Sequence, residues 1–390
     1  VEVLELASGL ELRTTSFVGR FTLGELIITI QPKIAGLPLL NLLRYAYDLR
    51  HLGLLDLTSF TTTPCLFQDL LLQQLAAEAA EIQARGMHRE YERKKELLAS
   101  PRGRLDFAAY AQQAGIVSAA LPCIHQPRLA ATLLNRVLVS GLYHAVALTS
   151  DLELRTRLRR LAEAFDLGEE PLRLNRGLVR EAHRALDRRT TAYTSTFDLL
   201  DLLLQSQGVA LDNKLMSVRL PGFLFDMNRF FQALLSRFLH QHLVGYKVQD
   251  EYRLRNLFVY DPNHNPRNRR SPTPRPDFVV FDSHRVVAVL DAKYRDLWEQ
   301  SLPREMLYQL ALYALSRSDC RGAVILYPTL NAAAVEQRIQ VLEPLYGAQQ
   351  AEVVLRRVNL LEMEELVRPP QRHAQDRARA TWARQLVWGK

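Results

Sequence analysis

Residues 275–295 read RPDFVVFDSHRVVAVLDAKYR, and this stretch restricts the fold more than any other. Two runs rich in β-branched residues, DFVVF and VVAVLDAKY, flank four turn-like residues, Asp282 to Arg285. The simplest structure for both is a β-hairpin. The second run is apolar up to Leu290 and then carries Asp291 and Lys293. Burying such charges beside a core costs several kcal/mol unless something pairs them. Either the strand leaves the core and its charges face water, or a cation sits among them. Side chains at i and i+2 of a strand share a face, so Asp291 and Lys293 go together. The hairpin brings Asp277, which begins the neighbouring strand, to the same end. Two carboxylates so placed repel unless one is protonated or a cation lies between them. All-oxygen ligation by Asp277 and Asp291 suits Mg²⁺, with Mn²⁺ as a substitute. A lysine beside such an ion can act on the attacking water and steady charge in the transition state. Phosphodiester hydrolysis is the reaction these parts suit.

The flanking segments extend the pattern. FDMNRFFQALLSRFLHQH, from Phe225 to His242, is an amphipathic helix that Asp226 is placed to cap. EYRLRNLFVYD (251–261) reads as a strand. Pro303 suits the first turn of a helix, PREMLYQLALYALSR, on which Gln309 and Tyr313 share a face at i, i+4. GAVILYP supplies one more strand. The order is α-β-β-β-α-β, a mixed sheet flanked by helices within an α+β chain. Upstream, residues 1–66 read as a β-rich domain, with the alternating strand ELIITI closed by Pro32. Helical periodicity dominates residues 67–215, and the first of those helices stops at Gly86. The nuclease-like pattern occupies 216–360. A basic segment, 361–390, is expected to form a peripheral helix or a loose tail.

Charge bears on partners. The chain has 43 Arg, only seven Lys and a net charge of +8, which permits attraction to a polyanion without requiring it. In so lysine-poor a chain, a lysine two residues after a buried-looking aspartate is less easily dismissed as filler. The loop HNPRNRRSPTPR leads straight into Asp277; its Arg267, Arg269, Arg270 and Arg275, with Arg295 beyond the DAK run, could hold a DNA backbone or belong to a disordered insertion. The basic stretch 88–104 is either a solvated surface or a contact surface. No apolar run reaches the ~18 residues a membrane helix needs. The N-terminus lacks a secretory layout, and three dispersed cysteines form no metal pair. A cytoplasmic protein with no membrane partner is expected. No G-x-x-x-x-G-K-[ST] loop occurs, so GTP hydrolysis is not expected of this chain.

The element order together with RPD, DAK and Q-x-x-x-Y resembles the PD-(D/E)XK nucleases that carry a RecB-type glutamine motif. VGRFTLGELIITIQPKI, RGMHREYERKKELLASPRGRL and LFDMNRFFQALL resemble three successive segments of the McrC family, so the likeness spans about residues 1 to 360. That resemblance implies a Mg²⁺-dependent DNA endonuclease subunit of a restriction system. Its partner would be a McrB-like AAA+ hexamer that binds GTP and translocates double-stranded DNA carrying modified cytosine. The N-terminal portion would enter that ring, with Arg20 and Lys33 as contacts, and stimulate its GTPase. Carried over by position, Asp277 and Asp291 bind the metal, Lys293 acts on the water and Gln309 supports the site. Asp226, Gln232 and Tyr313 are further supporting positions. Many family members have glutamate where this chain has Gln232. That departure leaves open a catalytically weak activator of the ring, and a RecB-like nuclease serving another motor is a further alternative.

Overall fold

The computed structural model describes residues 2–6, 9–13, 16–23, 25–34, 36–48, 67–112, 119–165, 167–213, 216–255, 257–316, 322–368 and 375–389. The chain divides into two compact units, Val1–Phe67 with Gly208–Lys390, and Gln68–Gln207. The first unit opens with an antiparallel pair, β1 (Glu2–Leu6) and β2 (Gly9–Arg13). A hairpin of β3 (Phe17–Leu23) and β4 (Leu26–Ile30) follows. Gly19 on β3 has φ +135°, and a Cβ there would collide with the carbonyl of Phe223 on the partner strand, so only glycine fits this crossing. The N-terminal region, expected to be β-rich, also contains a helix, α1 (Gly36–Tyr47), which buries Leu39, Leu40, Leu42 and Leu43. Residues 49–66 of that region lie outside the described residues.

The second unit begins with α2 (Phe67–Arg85), which ends at Gly86 in a left-handed conformation, φ +88°. Short strands then appear within a stretch expected to be helical: β5 (Glu90–Tyr91), β6 (Lys94–Leu98), β7 (Arg104–Leu105), β8 (Leu121–His125) and β9 (Arg128–Leu129). They form a three-stranded sheet in the order β6-β8-β7 and a separate β5-β9 pair, with a six-residue helix, α3 (Phe107–Gln112), between β7 and β8. β6 has no fully buried residue, so it carries no apolar face for a period-2 reading to find. Four helices complete the unit: α4 (Leu133–Leu148), α5 (Leu152–Ala164), α6 (Arg176–Arg184) and α7 (Thr194–Gln205). Side chains of Thr132, Asp151 and Asn175 cap the first three by accepting backbone N–H groups.

The chain then re-enters the first unit. β10 (Gln207–Asn213) and β11 (Met216–Asp226) join the N-terminal hairpin in a sheet ordered β10-β11-β3-β4. β11 runs directly into α8 (Met227–His242), and Asp226 caps it as expected, accepting from the N–H of Asn228 at 2.9 Å. A six-stranded sheet follows, built from β12 (Lys247–Asp250), β13 (Phe278–Asp282), β14 (Arg285–Ala292), β15 (Gly322–Thr329), β16 (Gln337–Leu342) and β17 (Gln349–Asn359). Its order is β12-β13-β14-β15-β17-β16, with β14, β15 and β17 parallel and the others antiparallel. β13 and β14 form the anticipated hairpin, pairing Phe278 with Leu290 and Asp282 with Arg285.

One face of this sheet packs on α9 (Arg304–Leu315): Val289, Ile325 and Tyr327 meet Leu310, Tyr313 and Ala314. Leu290 and Ala292 point the other way, where α8 contacts β14. Among the described residues of 251–261 the expected strand does not form. The strand is β12 instead, and Glu251 breaks it with φ +47°. The Arg/Leu alternation beyond it belongs to a loop, because Leu254 donates its N–H to Pro274 O at 3.0 Å and buries its side chain from there. Of the two expectations for the C-terminal segment, its described residues take the helical one. After α10 (Leu360–Val367), α11 (Asp376–Trp388) buries Arg379, Ala383, Leu386 and Val387, and its Trp382 meets Phe238 of α8 edge-on at 5.1 Å. Among the described residues, no helix is long and apolar enough to cross a membrane.

Candidate active site

Three segments meet at one end of the six-stranded sheet. Asp277 precedes β13, and the hairpin register brings it level with Asp291. Its Oδ2 accepts the Ala292 N–H at 2.7 Å, and its Oδ1 accepts from Nε2 of Gln232 on α8 at 3.1 Å. Asp291 is 2% exposed and pairs with Nζ of Lys293 at 3.2 Å. Lys293 stays beside β15 by donating its N–H to Leu326 O at 3.1 Å, so the period-2 geometry keeps its side chain with Asp291.

The electrostatics are those of a cluster short of positive charge. Burial first, and then the Asp291 charge, push the Asp277 carboxyl up to about 7, against the opposing effects of the Ala292 N–H and Lys293. Asp291 is also raised, by burial that outweighs its ammonium partner. Burial works against the Lys293 ammonium as well, but Asp291 and Asp277 outweigh it and hold its pKa above the ordinary value. The two carboxylates titrate as a pair. Across from them on α9, Gln309 Nε2 donates to Tyr313 Oη at 2.7 Å. Burial, with the Asp291 and Asp277 charges, raises the Tyr313 hydroxyl.

The structure therefore brings Asp277, Asp291, Lys293, Gln232 and Tyr313 together, with Gln309 hydrogen-bonded to Tyr313. Asp226 does not join them; its carboxylate is occupied as the α8 cap and by Ser16 Oγ at 3.2 Å. Arg267, Arg269, Arg270 and Arg275 are exposed on the loop before Asp277. That loop is organised: Asn265 brackets Arg269 through two hydrogen bonds of 2.9 Å. Arg295 is half-buried, Arg20 lies on β3 opposite Thr29, and Lys33 sits with its Nζ 5.9 Å from the ring centre of Tyr294.

Two contributors were missed from the sequence. Glu251 donates its N–H to Asp277 O at 2.9 Å and its charge adds to those raising Asp277; the sequence pattern puts it inside a strand. Asn228 Oδ1 accepts the Tyr294 N–H at 2.8 Å. The DMN spacing marked the helix but not this contact. Beside Gln232 and Glu251 opens a cavity of ≈ 750 Å³, with Arg229, Arg237, His240 and Asp250 also on its wall.

Among the described residues, no group of three or more His, Cys, Asp and Glu side chains is arranged to hold a metal ion. The site offers one buried and one half-buried carboxylate, Asp291 and Asp277, whose repulsion a cation would relieve. A hard cation that keeps its waters and is completed by substrate phosphates fits such a donor set, and a softer metal does not.

The sequence model of the family described as McrBC 5-methylcytosine restriction system component matches residues 12–328. No curated relative matches. Among solved structures, the chain is similar to one in a refined half-complex from a tetradecameric assembly of Thermococcus gammatolerans McrB AAA+ hexamers with bound McrC. The TM-score is 0.68 at 21% identity, covering 99% of this chain and 86% of that one. This likeness speaks to the fold. A looser match, TM-score 0.46 at 23% identity over 61% of this chain and 69% of the other, is to the cryo-EM structure of the Thermococcus gammatolerans McrBC complex.

Proposed function

This chain belongs to the McrBC 5-methylcytosine restriction system component family, and from that premise we propose that it is the DNA-cleaving subunit of a restriction assembly. Its fold over 216–360 is read as a PD-(D/E)XK nuclease core. The observation that carries the reading is the charge-short cluster: buried Asp291 and half-buried Asp277 both have raised pKa values, and the Lys293 ammonium beside them is paired with Asp291. Such deficits mark sites built to receive a cation.

Asp277 and Asp291 would hold Mg²⁺, or Mn²⁺ in its place. When bound, that ion supplies the positive charge that neutralises the scissile phosphate and acidifies a water. Lys293, kept protonated by its acidic neighbours, works as a hydrogen-bond donor to the attacking water or a phosphate oxygen rather than as a base. Gln232 holds Asp277 by its amide nitrogen, and Gln309 steadies the Tyr313 hydroxyl beside the pair. Arg267, Arg269, Arg270 and Arg275 precede the site and suit a sequence-independent grip on a duplex backbone. Arg20 on the N-terminal sheet is a candidate contact to the ring.

The partner in this reading is a McrB-like AAA+ GTPase hexamer, by analogy with the Thermococcus gammatolerans assembly whose hexamers bind McrC. The substrate is double-stranded DNA carrying modified cytosine. The test is reconstitution with the candidate ring, comparing methylated and unmethylated DNA with and without GTP and Mg²⁺. Cleavage is expected only of methylated DNA with both present. If Lys293→Ala cuts as well as the parent, the assigned centre is wrong.

One observation favours a second reading. With Gln232 in place of an acid on α8, the helix adds no negative charge to the pair. A ring activator without nuclease activity would stimulate the partner GTPase normally yet leave every DNA intact in the same experiment.

A further inference from the structure

Two sequence motifs, IQPK and DMN, have so far been given no part in the chemistry, and they converge on one residue. Tyr294, the residue after Lys293, is 8% exposed. Its N–H donates to Oδ1 of Asn228 at 2.8 Å. Its ring meets Phe231 edge-on, with centroids 6.1 Å apart, and carries the Lys33 ammonium at 5.9 Å on another side. Asn228, Phe231 and Gln232 stand at i, i+3 and i+4 on α8, which is one helix face. That face grips the site from both flanks: Gln232 holds Asp277, while Asn228 and Phe231 hold the segment beyond Lys293.

The peptide units on either side of Lys293 are thus both tied down. Its own N–H goes to Leu326 O on β15 at 3.1 Å, and the next goes to Asn228. Arg295 closes a tight turn back onto Lys293 O at 2.8 Å. The start of α8, which carries Asn228, is itself fixed. The first N–H of α8, on Met227, donates to Ser16 O at 2.9 Å, at the start of β3.

We propose that Asn228 and Lys33 are positioning residues: by clamping Tyr294 they hold the Lys293 ammonium on Asp291 and join the N-terminal sheet mechanically to the cleavage centre. The catalytic part of this inference rests on the proposed nuclease function, whereas the clamp itself is read without it. Amine acetylation followed by mass spectrometry reports Lys293 directly, since the chain has only seven lysines. In Asn228→Ala, Lys293 acetylation is expected to accelerate several-fold. Cleavage kcat should fall about 30-fold with KM for DNA within about twofold, because a small misplacement of a reacting group costs rate rather than binding. Asn228→Asp keeps the acceptor and should restore both. Lys33→Met should show the same changes more weakly, and Lys33→Arg should not.

Parent-like labelling of Lys293 in both Asn228→Ala and Lys33→Met would overturn the clamp, as would equal impairment of Asn228→Asp and Asn228→Ala. Should Asn228→Ala fail to fold, the exposed Lys33 site decides the matter alone. If Lys293→Ala cleaves normally, the nuclease reading fails while the labelling still judges the clamp.

Discussion

Glu364 and Asp291 are each 2% exposed and belong to the same unit, yet their electrostatic states are opposite. Glu364 receives Arg368 through two bonds, 2.8 and 2.6 Å, and Asn41 Nδ2 at 2.6 Å. Burial works against it, but these partners outweigh burial and hold its carboxyl below the usual range. Glu336 behaves alike, with Arg356 at 2.6 Å and Arg338 at 2.7 Å. At the end of β14 the balance tips the other way, because the Lys293 ammonium pairs with Asp291 at 3.2 Å and reaches Asp277 only through space. Burial prevails and both carboxyls rise. Equal exposure of Glu364 and Asp291 therefore does not fix their states. The desolvation around each carboxylate and the counter-charge it receives do.

The strongest way to break this contrast is Lys293→Ala. Loss of a positioned donor at the reacting group predicts a fall in cleavage of about 10³-fold, with partner GTPase stimulation per folded molecule near that of the parent; the melting temperature should fall at neutral pH, because Asp291 loses its ammonium partner. Glu364→Ala should do the reverse. It leaves Asn41 with an unsatisfied donor and Arg368 without its fork, at about 2 kcal/mol of stability, measured by denaturant titration. Cleavage per folded molecule should be unchanged. A variant of Glu364 that lost rate without losing stability would erase the distinction.

Cation binding sharpens it next. The pair must shed a proton to take an ion, and Asp277 titrates near 7. As pH rises towards neutrality, the Mg²⁺ concentration for half-maximal cleavage should therefore fall by up to about tenfold per pH unit, levelling off above it. Chelation should abolish cleavage throughout. A flat metal dependence between about pH 5.5 and 7 would place the ion elsewhere.

How much of this was legible beforehand follows from the range of each interaction. The hairpin and the meeting of Asp277, Asp291 and Lys293 depend on a turn and a period of two, both local. The β6 strand was hidden because it lacks a buried face. The 251–261 segment misled because its alternation buries Leu254 through a loop bond to Pro274 rather than through a ladder. Asn228 on Tyr294 and Lys33 over its ring join residues far apart in sequence, and no periodicity encodes such contacts. The direction in which Gln232 works was also invisible, because whether a glutamine offers its nitrogen or its oxygen depends on the neighbour it meets.

The smallest effect bears most directly on the charge deficit itself. Asp277 has a folded pKa of about 7, against roughly 4 for an unfolded aspartate. Between those values the native state binds more protons than the unfolded chain, so stability falls as pH rises through this window, and above it the ionised pair remains a standing penalty. Asn cannot ionise, and its carbonyl can still accept the Ala292 N–H. Asp277→Asn should therefore match the parent near about pH 4 and exceed it by about 1 kcal/mol near about pH 8, in the absence of divalent ions. Adding Mg²⁺ should narrow or invert the gap, since only the parent gains a ligand that binds the folded form. The structural carboxylates respond in the opposite sense: Glu364→Gln removes an acid whose pKa is lowered, so its cost should be largest at neutral pH and vanish as the medium becomes acidic. Calorimetry of both variants across the same pH range sets the two signs side by side, and equal signs would mean that the end of β14 is an ordinary buried ion pair.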